Sequence, residues 1–191
     1  MPRLQVPSKL LAAVYDKVNA GPEDAGVAAL RGGLLSHARG RVIEIGAGTG
    51  LNLAHYPPTV AHLVLSEPDV NMRAKLRVKL DAGAGPQAVE VSDATAGDLP
   101  YDDASFDTVV ATMVLCTVPE PSLALAELRR VMRPDGRLLV LEHVRSERSG
   151  VARLQDAVVP LYGFMGRGCH PNRDTLAAIR AAGFTLDEHR R

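Results

Sequence analysis

"RVIEIGAGTG", residues 41–50, decides the fold. Five mostly apolar residues run straight into a turn holding Gly46, Gly48 and Gly50 within five positions. The run reads as a short strand buried on both faces. The turn reads as backbone that something approaches closely, because glycine bends tightly and leaves no side chain in the way. A phosphate, a nucleoside and simple tight packing would each ask for such a turn, and each would make a different protein.

Outward from this stretch, the same kind of run recurs at 61–66, 87–91, 106–111 and 137–143. Helical spacing fills the intervals: a short piece at 50–55, then 69–82, 121–132 and 172–182. Two more helices precede the first strand. "SKLLAAVYDKVNA" carries Leu10, Leu11, Val14 and Val18 at helical intervals. A second helix is expected over 22–38, with Pro22 in its first turn and Glu23 and Asp24 at the positive end of the dipole. Strand alternating with helix predicts a doubly wound, Rossmann-like, mostly parallel α/β sheet built by right-handed crossovers. "RPDG", 133–136, reads as the turn into the fifth strand, with Pro134 fixing φ and Gly136 permitting a positive φ. Asp174 is placed to cap the last helix and Gly183 to close it.

With 191 residues the chain is expected to form one domain, 1–191, with N-terminal helices over 1–38 and an insertion over 145–173 after the fifth strand. Such long connections are often functional lids. Lys+Arg and Asp+Glu each number 22, and this zero net charge argues against a nucleic-acid binder. No apolar run approaches the roughly 18 residues of a membrane span. The first residues carry Lys9, Asp16 and Lys17 and no signal-peptide core, so a cytoplasmic protein without integral membrane contact is expected. Cys116 and Cys169 lie far apart, with no CxxC and no metal-ligand spacing, so no metal is assigned.

A doubly wound sheet binds its ligand at the carboxyl ends of its strands, and the turn after 41–45 lies there. The nicotinamide fingerprint needs a third glycine where this chain has Leu51, so that reading fails. Glu67 stands about twenty residues past the turn, at the tip of the second strand, where a carboxylate can take two ribose hydroxyls.

The pattern E-x-G-x-G-x-G is that of class I S-adenosylmethionine methyltransferases. "VIEIGAGTGLNLAHYP", "LSEPDVNM", "ATAGDLPYDDASFDTVVATMVLCTVPEP", "LAELRRVMRPDGRLLVLEHV" and "GCHPNRDTLAAIRAAGF" together resemble the UbiE-like, type 11, superfamily of these enzymes. Within it the chain most resembles the methyltransferase-like "seven" subgroup, whose best-known animal members are thiol S-methyltransferases. That finer resemblance rests on "VLCTV", "LEHV" and "GC". The resemblance runs from about 40 to 184. It implies S-adenosyl-L-methionine as cofactor and a small-molecule acceptor. It places Glu44, Gly46, Ala47, Gly48 and Gly50 around the methionine part, with Thr49 and Asn52 as neighbours. Glu67 would take the ribose, and Pro68 and Met72 would flank the adenine. Thr95 stands where the family has Asp facing the adenine amino group, and Ala96 keeps a backbone N–H to offer. Asp93 lies two residues early for that role. Thr112 and Met113 would face the sulfonium.

A thiol acceptor must lose its proton, and His143, at the end of the fifth strand, is the candidate base. Equally open is a histidine bonded to backbone near the strand end. Cys116 and Thr117, after the fourth strand, and Cys169 and His170, in the insertion, are candidate pocket-wall residues. "VARLQDAVVPLYGFMG" would roof an apolar acceptor pocket. Tyr15 is open to two readings, closing over the cofactor or filling the core. Two rival functions stay open: N- or C-methylation of a lipid or quinone-like acceptor, since "GTGLNLAHY" resembles a run of bacterial phospholipid N-methyltransferases, and a cofactor-binding scaffold without turnover, which Thr95 favours. "FTLDEHRR" supplies one further strand, leaving an edge that a second subunit could cover or that Arg190 and Arg191 blunt.

Overall fold

The structure is a computed structural model and describes residues 6–165 and 168–188. Five parallel strands form one sheet in the order β3-β2-β1-β4-β5: β1 Gly40–Ile45, β2 Val60–Ser66, β3 Val89–Ser92, β4 Phe106–Thr112 and β5 Met132–Leu141. Strand order reverses between β1 and β4, so the crevice for a ligand opens at the end of β1, where the glycine turn begins.

The strands are apolar because both faces are covered. Ile43 and Ile45 look to one side and pack with Val109 and Ala111 against Leu125 and Leu128 of α4 (Pro121–Val131) and Ile179 of α6 (Thr175–Ala181). Val42, just before Ile43, looks the other way, to Leu35 of α2 (Ala28–Leu35) and Leu76 of α3 (Val70–Asp81). Each such side chain contributes about 1.5–3 kcal/mol by leaving water. Ala124, Leu125, Leu128 and Val131 make one buried stripe on α4, which starts with Pro121 in its first turn. Asp69 caps α3 by accepting the amides of Asn71 and Met72 at 2.9 and 3.0 Å. Asp174 caps α6 through the Ala177 amide at 2.9 Å, and Gly183, at φ 82°, follows its end, as the sequence predicts.

Three expectations need correction. The helix expected over 22–38 is not separate at Pro22. Helix α1 (Ser8–Pro22) runs through a π-helical turn, Glu23–Val27, into α2, and the break falls at Gly26 with φ 125°. Glu23 is drawn to Arg31 (3.0 Å) rather than serving a helix start. "RPDG" is a bulge within β5 rather than a turn before it: Phe106 pairs with Met132 and Thr108 with Arg137, so four residues loop out opposite Asp107. Gly136 does not take a positive φ there; a Cβ would come within 2.8 Å of Met132 Cγ and 2.9 Å of the Arg133 carbonyl oxygen. Finally, 184–188 form no strand. Phe184 and Leu186 pack on the core instead, and Arg129 holds the carbonyls of Ala182 and Gly183. Arg190 and Arg191 lie outside the described residues. The 145–173 segment contains a helix, α5 (Ser149–Met165). Gln155 ties it down, donating to the Val144 and Pro171 carbonyls at 2.9 and 3.0 Å. No helix among the described residues is long and apolar enough to cross a membrane.

Candidate active site

The three glycines of the opening turn all have positive φ, 62°, 57° and 81°, but their surroundings differ. A Cβ on Gly46 would sit 2.4 Å from Val114 Cγ2. One on Gly50 would sit 2.7 and 2.8 Å from Leu76 and Leu53 methyls. One on Gly48 would meet nothing nearer than 4.0 Å. Gly46 and Gly50 therefore serve packing, whereas Gly48 presents bare backbone to open space, as a cradle for a bound nucleoside requires. Ala47 is held by donating its amide to the Ser66 carbonyl at 3.0 Å.

Glu67 follows β2 and is 8% exposed. Its carboxylate accepts the amides of Gly48 (2.8 Å) and Asp69 (2.9 Å). Burial raises its pKa, and those amides oppose the rise. A carboxylate fixed by one amide on each oxygen keeps lone pairs on both for two vicinal hydroxyls. Pro68 follows directly, and Met72 is buried one turn into α3. Thr95, exposed, pairs with Asp98 in an isolated bridge. Ala96 is half-buried and Asp93 exposed; all three residues follow β3.

Behind the turn runs a buried polar spine. Glu44 accepts from Asn52 Nδ2 (2.9 Å) and the Tyr56 hydroxyl (2.6 Å); burial pushes its pKa up to about 7 against these two donors. Asn52 also donates to Thr112 Oγ1 at 2.8 Å. Arg31, 4% exposed, donates to Asn52 Oδ1 (2.9 Å) and Thr112 Oγ1 (3.2 Å) while paired with Glu23. The fold thus joins Glu44 and Thr112 through Asn52, three residues that the resemblance assigns to the cofactor. It adds Arg31, which the sequence reading missed; its signal was one cation amid the apolar "AALRGGLL".

Helix α1 lies over this assembly. Asp16 accepts from Thr49 Oγ1 at 2.5 Å and pairs with Lys79 at 2.9 Å, and Ser8 bonds Asp69. Burial disfavours ionisation of Tyr15, and the Arg31 guanidinium opposes that rise.

The residues expected to line the acceptor pocket lie past β4. Met113 takes φ 54°, a left-handed conformation unusual for its type, with its amide bonded to the Leu141 carbonyl at 2.7 Å. Glu142 follows β5 and accepts the amides of Val114 (2.6 Å), Leu115 (2.5 Å) and Cys116 (3.3 Å); burial raises it to about 8. This organiser of the 113–118 turn was missed, although "LEHV" contains it. Arg173 donates to the Leu115 and Val118 carbonyls at 2.6 and 2.7 Å, and His170 donates its amide to the Cys116 carbonyl at 2.8 Å. These bonds bring the "GC" loop against the "VLCTV" loop. Cys116 and Cys169 are both buried, with sulfurs 3.6 Å apart. His143 lies two residues past β5 and is exposed; its Nδ1 stands 3.8 Å from Cys116 Sγ and 3.7 Å from Cys169 Sγ. The contact with Cys169, then burial, pushes the Cys116 thiol up to about 12, while the same contact lowers Cys169. Thr117 Oγ1 lies 3.6 Å from Cys116 Sγ. The imidazole of His170 is turned to the Gly168 carbonyl, a loop lock.

A glycine cradle, an acid at the tip of the neighbouring strand and polar groups at the tip of β4, all at the reversal of a parallel sheet, define a Rossmann-like nucleoside-binding domain. Residues 43–140 match the family model described as "Methyltransferase domain". The chain is 34% identical over 168 residues to a demethylmenaquinone methyltransferase of Clavibacter sepedonicus, covering 78% of this chain and 67% of that one. It is 33% identical over 146 residues to thiol S-methyltransferase TMT1B of Rattus norvegicus, covering 75% and 59%. The chain thus spans only about three fifths of that thiol S-methyltransferase. A solved structure from Thermotoga maritima, described as a SAM-dependent methyltransferase and possible histamine N-methyltransferase, superposes with a TM-score of 0.70 at 25% identity, covering 93% of this chain and 80% of that one. The chain belongs to the S-adenosylmethionine-dependent methyltransferases of the type 11 domain family, and S-adenosylmethionine is its cofactor.

Proposed function

We propose that this chain methylates a small thiol on sulfur. The observation that carries the reading is the wall at the acceptor end, where two cysteine sulfurs and a histidine nitrogen meet. The neighbouring carboxylate, Glu142, is bound to three backbone amides and is not presented as a base for a hydroxyl or an amine. Similarity to a thiol S-methyltransferase supports the same acceptor.

S-adenosylmethionine supplies, when bound, an electrophilic methyl group on a sulfonium sulfur. Gly48 offers bare backbone for close approach, and Glu67 offers both oxygens to the ribose. Arg31, beside Asn52 and Thr112, is a fixed cation for the carboxylate of the methionine part. Pro68, Met72, Thr95 and Ala96 border the adenine. Tyr15 and α1 exclude water above. The chain's main task is alignment, worth about 7–11 kcal/mol in favourable cases. A thiol of ordinary pKa about 8.5 already supplies a few per cent of thiolate at neutral pH, so the acceptor asks little proton chemistry of the protein.

A panel of small thiols, amines and a demethylated quinol, each offered with isotope-labelled methyl donor, tests the reading. Thiols are expected to be methylated at the highest kcat/KM. Preference for the amine or quinol would overturn the thiol assignment in favour of N- or C-methylation, the second reading, which similarity to the demethylmenaquinone enzyme supports. Tight cofactor binding without methylation of any acceptor would favour the scaffold.

A further inference from the structure

We propose that Cys116, His143 and Cys169 form a three-donor site for a thiophilic divalent cation such as zinc, whose remaining position takes the acceptor as its thiolate. The proposal deepens the thiol reading and rests on it for the acceptor.

Three donors on three separate segments meet here: the turn after β4, the end of β5 and the loop after α5. Their mutual distances are 3.6, 3.7 and 3.8 Å. A nearly equilateral triangle of side 3.7 Å has its centre about 2.1 Å from each corner. Zinc bonds thiolate sulfur at about 2.3 Å and imidazole nitrogen at about 2.0–2.1 Å. An ion raised slightly from that plane therefore meets all three bond lengths and has a fourth tetrahedral vertex pointing away from the triangle. Among the described residues, this Cys, His and Cys set is the group of such side chains whose ligand atoms converge, and it includes no fourth protein donor. Three protein ligands with one open position is the composition of catalytic rather than structural zinc sites.

A disulfide would draw the two sulfurs to about 2.05 Å and leave the imidazole outside the bond, so its formation is the rival outcome of the test below. The donors are also held in place by their surroundings. Glu142 fixes the Cys116 turn from β5, and the Cys116 carbonyl accepts the His170 amide from the opposite loop. The ring of His143 is steadied edge-on by Tyr162 of α5, with centroids 6.4 Å apart. His143 thereby becomes a ligand rather than the general base read from the sequence.

When an acceptor thiol enters, its S–H proton leaves to solvent as its sulfur bonds the cation and displaces water. Methyl transfer then forms the new S–C bond at that sulfur. The sulfonium's S–C bond breaks, and its electron pair stays on the departing thioether. The product is a neutral thioether, a poor ligand that dissociates.

The test uses the full chain prepared with zinc under reducing conditions, then exchanged to cobalt(II). About one ion per chain is expected, with a thiolate-to-cobalt charge-transfer band in the absorption spectrum. Adding 2-mercaptoethanol should change that spectrum, without any methyl donor present. Cys116→Ser, Cys169→Ser and His143→Ala should each weaken retention of the ion more than ~10-fold, since even outer-shell losses cost that much. Calorimetric titration with S-adenosylmethionine verifies that each variant is folded; a variant that fails it is replaced by Cys→Ala or His→Asn at the same position. No ion above background, or a Cys116–Cys169 disulfide in protein prepared this way, overturns the site. A cobalt spectrum indifferent to the thiol overturns the acceptor's place on it. Thiol methylation undiminished after chelation overturns the catalytic role. An ion that binds thiol in a protein that methylates only amines or quinols leaves the site standing and removes the proposed function alone.

Discussion

Gly46 and Gly48 differ by two positions and do opposite things, and their replacement should separate stability from binding. Alanine at Gly46 drives a Cβ into Val114, so Gly46→Ala is expected to cost about 1–3 kcal/mol by overpacking, plus backbone strain at positive φ, and to lower Tm clearly. Alanine at Gly48 meets no protein atom within 4 Å except at that limit. Its strain of about 1 kcal/mol should therefore be accompanied by a disproportionate loss of S-adenosylmethionine affinity. Thermal denaturation and calorimetric titration of the pair decide this; equal ratios of the two losses would show that Gly48 serves packing as well. Glu67 carries the sharper expectation. Glu67→Gln keeps the shape but trades a charged acceptor of two hydroxyls for an amide, and charge-assisted bonds contribute about 1.5–3 kcal/mol each. Affinity for the methyl donor should fall at least ~10-fold, and unaltered affinity would remove the ribose role. Glu44 makes a statement about pH. Its pKa is about 7 in the fold against an ordinary 4.5, so between those values the native state holds the proton and the unfolded chain does not. Its contribution is present below the unfolded value and is lost as pH rises through 7, at roughly 1.4 kcal/mol per unit of difference. Denaturant unfolding at pH 5 and pH 8 should show that loss in the wild type and a flatter profile in Glu44→Gln.

The elements that sequence patterning placed well are those whose pattern and burial have one cause. β1, β2 and β4 are short apolar runs because helices cover both faces, and α4 shows its buried stripe at helical spacing. The misplacements occur where a tertiary contact outweighs a local signal. Pro22 and Glu23 are good helix-start residues, yet Arg31 takes the carboxylate and Gly26 moves the break. "RPDG" has turn chemistry, yet β5 pairs on either side of it and the turn becomes a bulge. "FTLDEHRR" alternates like a strand, yet Phe184 and Leu186 are drawn on to the core. Helix α1 is itself a legible amphipathic element whose task was not legible, because its contacts are made by polar residues: Asp16 to Thr49 and Lys79, and Ser8 to Asp69. Half-exposed ion pairs contribute at most about 1 kcal/mol, but Asp16→Ala also leaves the buried Thr49 hydroxyl without its acceptor, so a loss of about 1–3 kcal/mol in stability is expected. It should also unlatch α1 from the glycine turn and speed S-adenosylmethionine release several-fold in stopped-flow displacement. An unchanged release rate would mean that α1 does not gate the cofactor.

Across the whole molecule, the proposed function divides the work at the reversal of the sheet. On that proposal the β1–β2–β3 side would hold the cofactor and the β4–β5–α5 side would form the acceptor wall. The turn at 46–50 and Glu67 were easy to bring together because they are close in sequence and belong to one strand–helix–strand unit. Cys116, His143 and Cys169 were each singled out in the sequence, but their meeting was not legible, because they stand on three loops joined by Glu142, His170 and Arg173 acting across them. The start of the described chain touches the end of α5, where the Val6 amide donates to the Phe164 carbonyl. Leu161, Tyr162 and Phe164 of α5 remain 43–55% exposed, an apolar face beside His143. This division predicts independent failure. Tyr162→Ala removes the ring against His143 on the α5 side of the sheet. KM for the acceptor should therefore rise several-fold, more for apolar thiols than for polar ones, while the Kd for S-adenosylmethionine stays within about twofold, since distant sites without shared partners act additively. Steady-state kinetics with paired apolar and polar thiols, beside calorimetric titration of the cofactor, measure both quantities. If instead the cofactor Kd rose together with KM, α5 would belong to the cradle, and the separation of the two halves at the strand reversal would be lost.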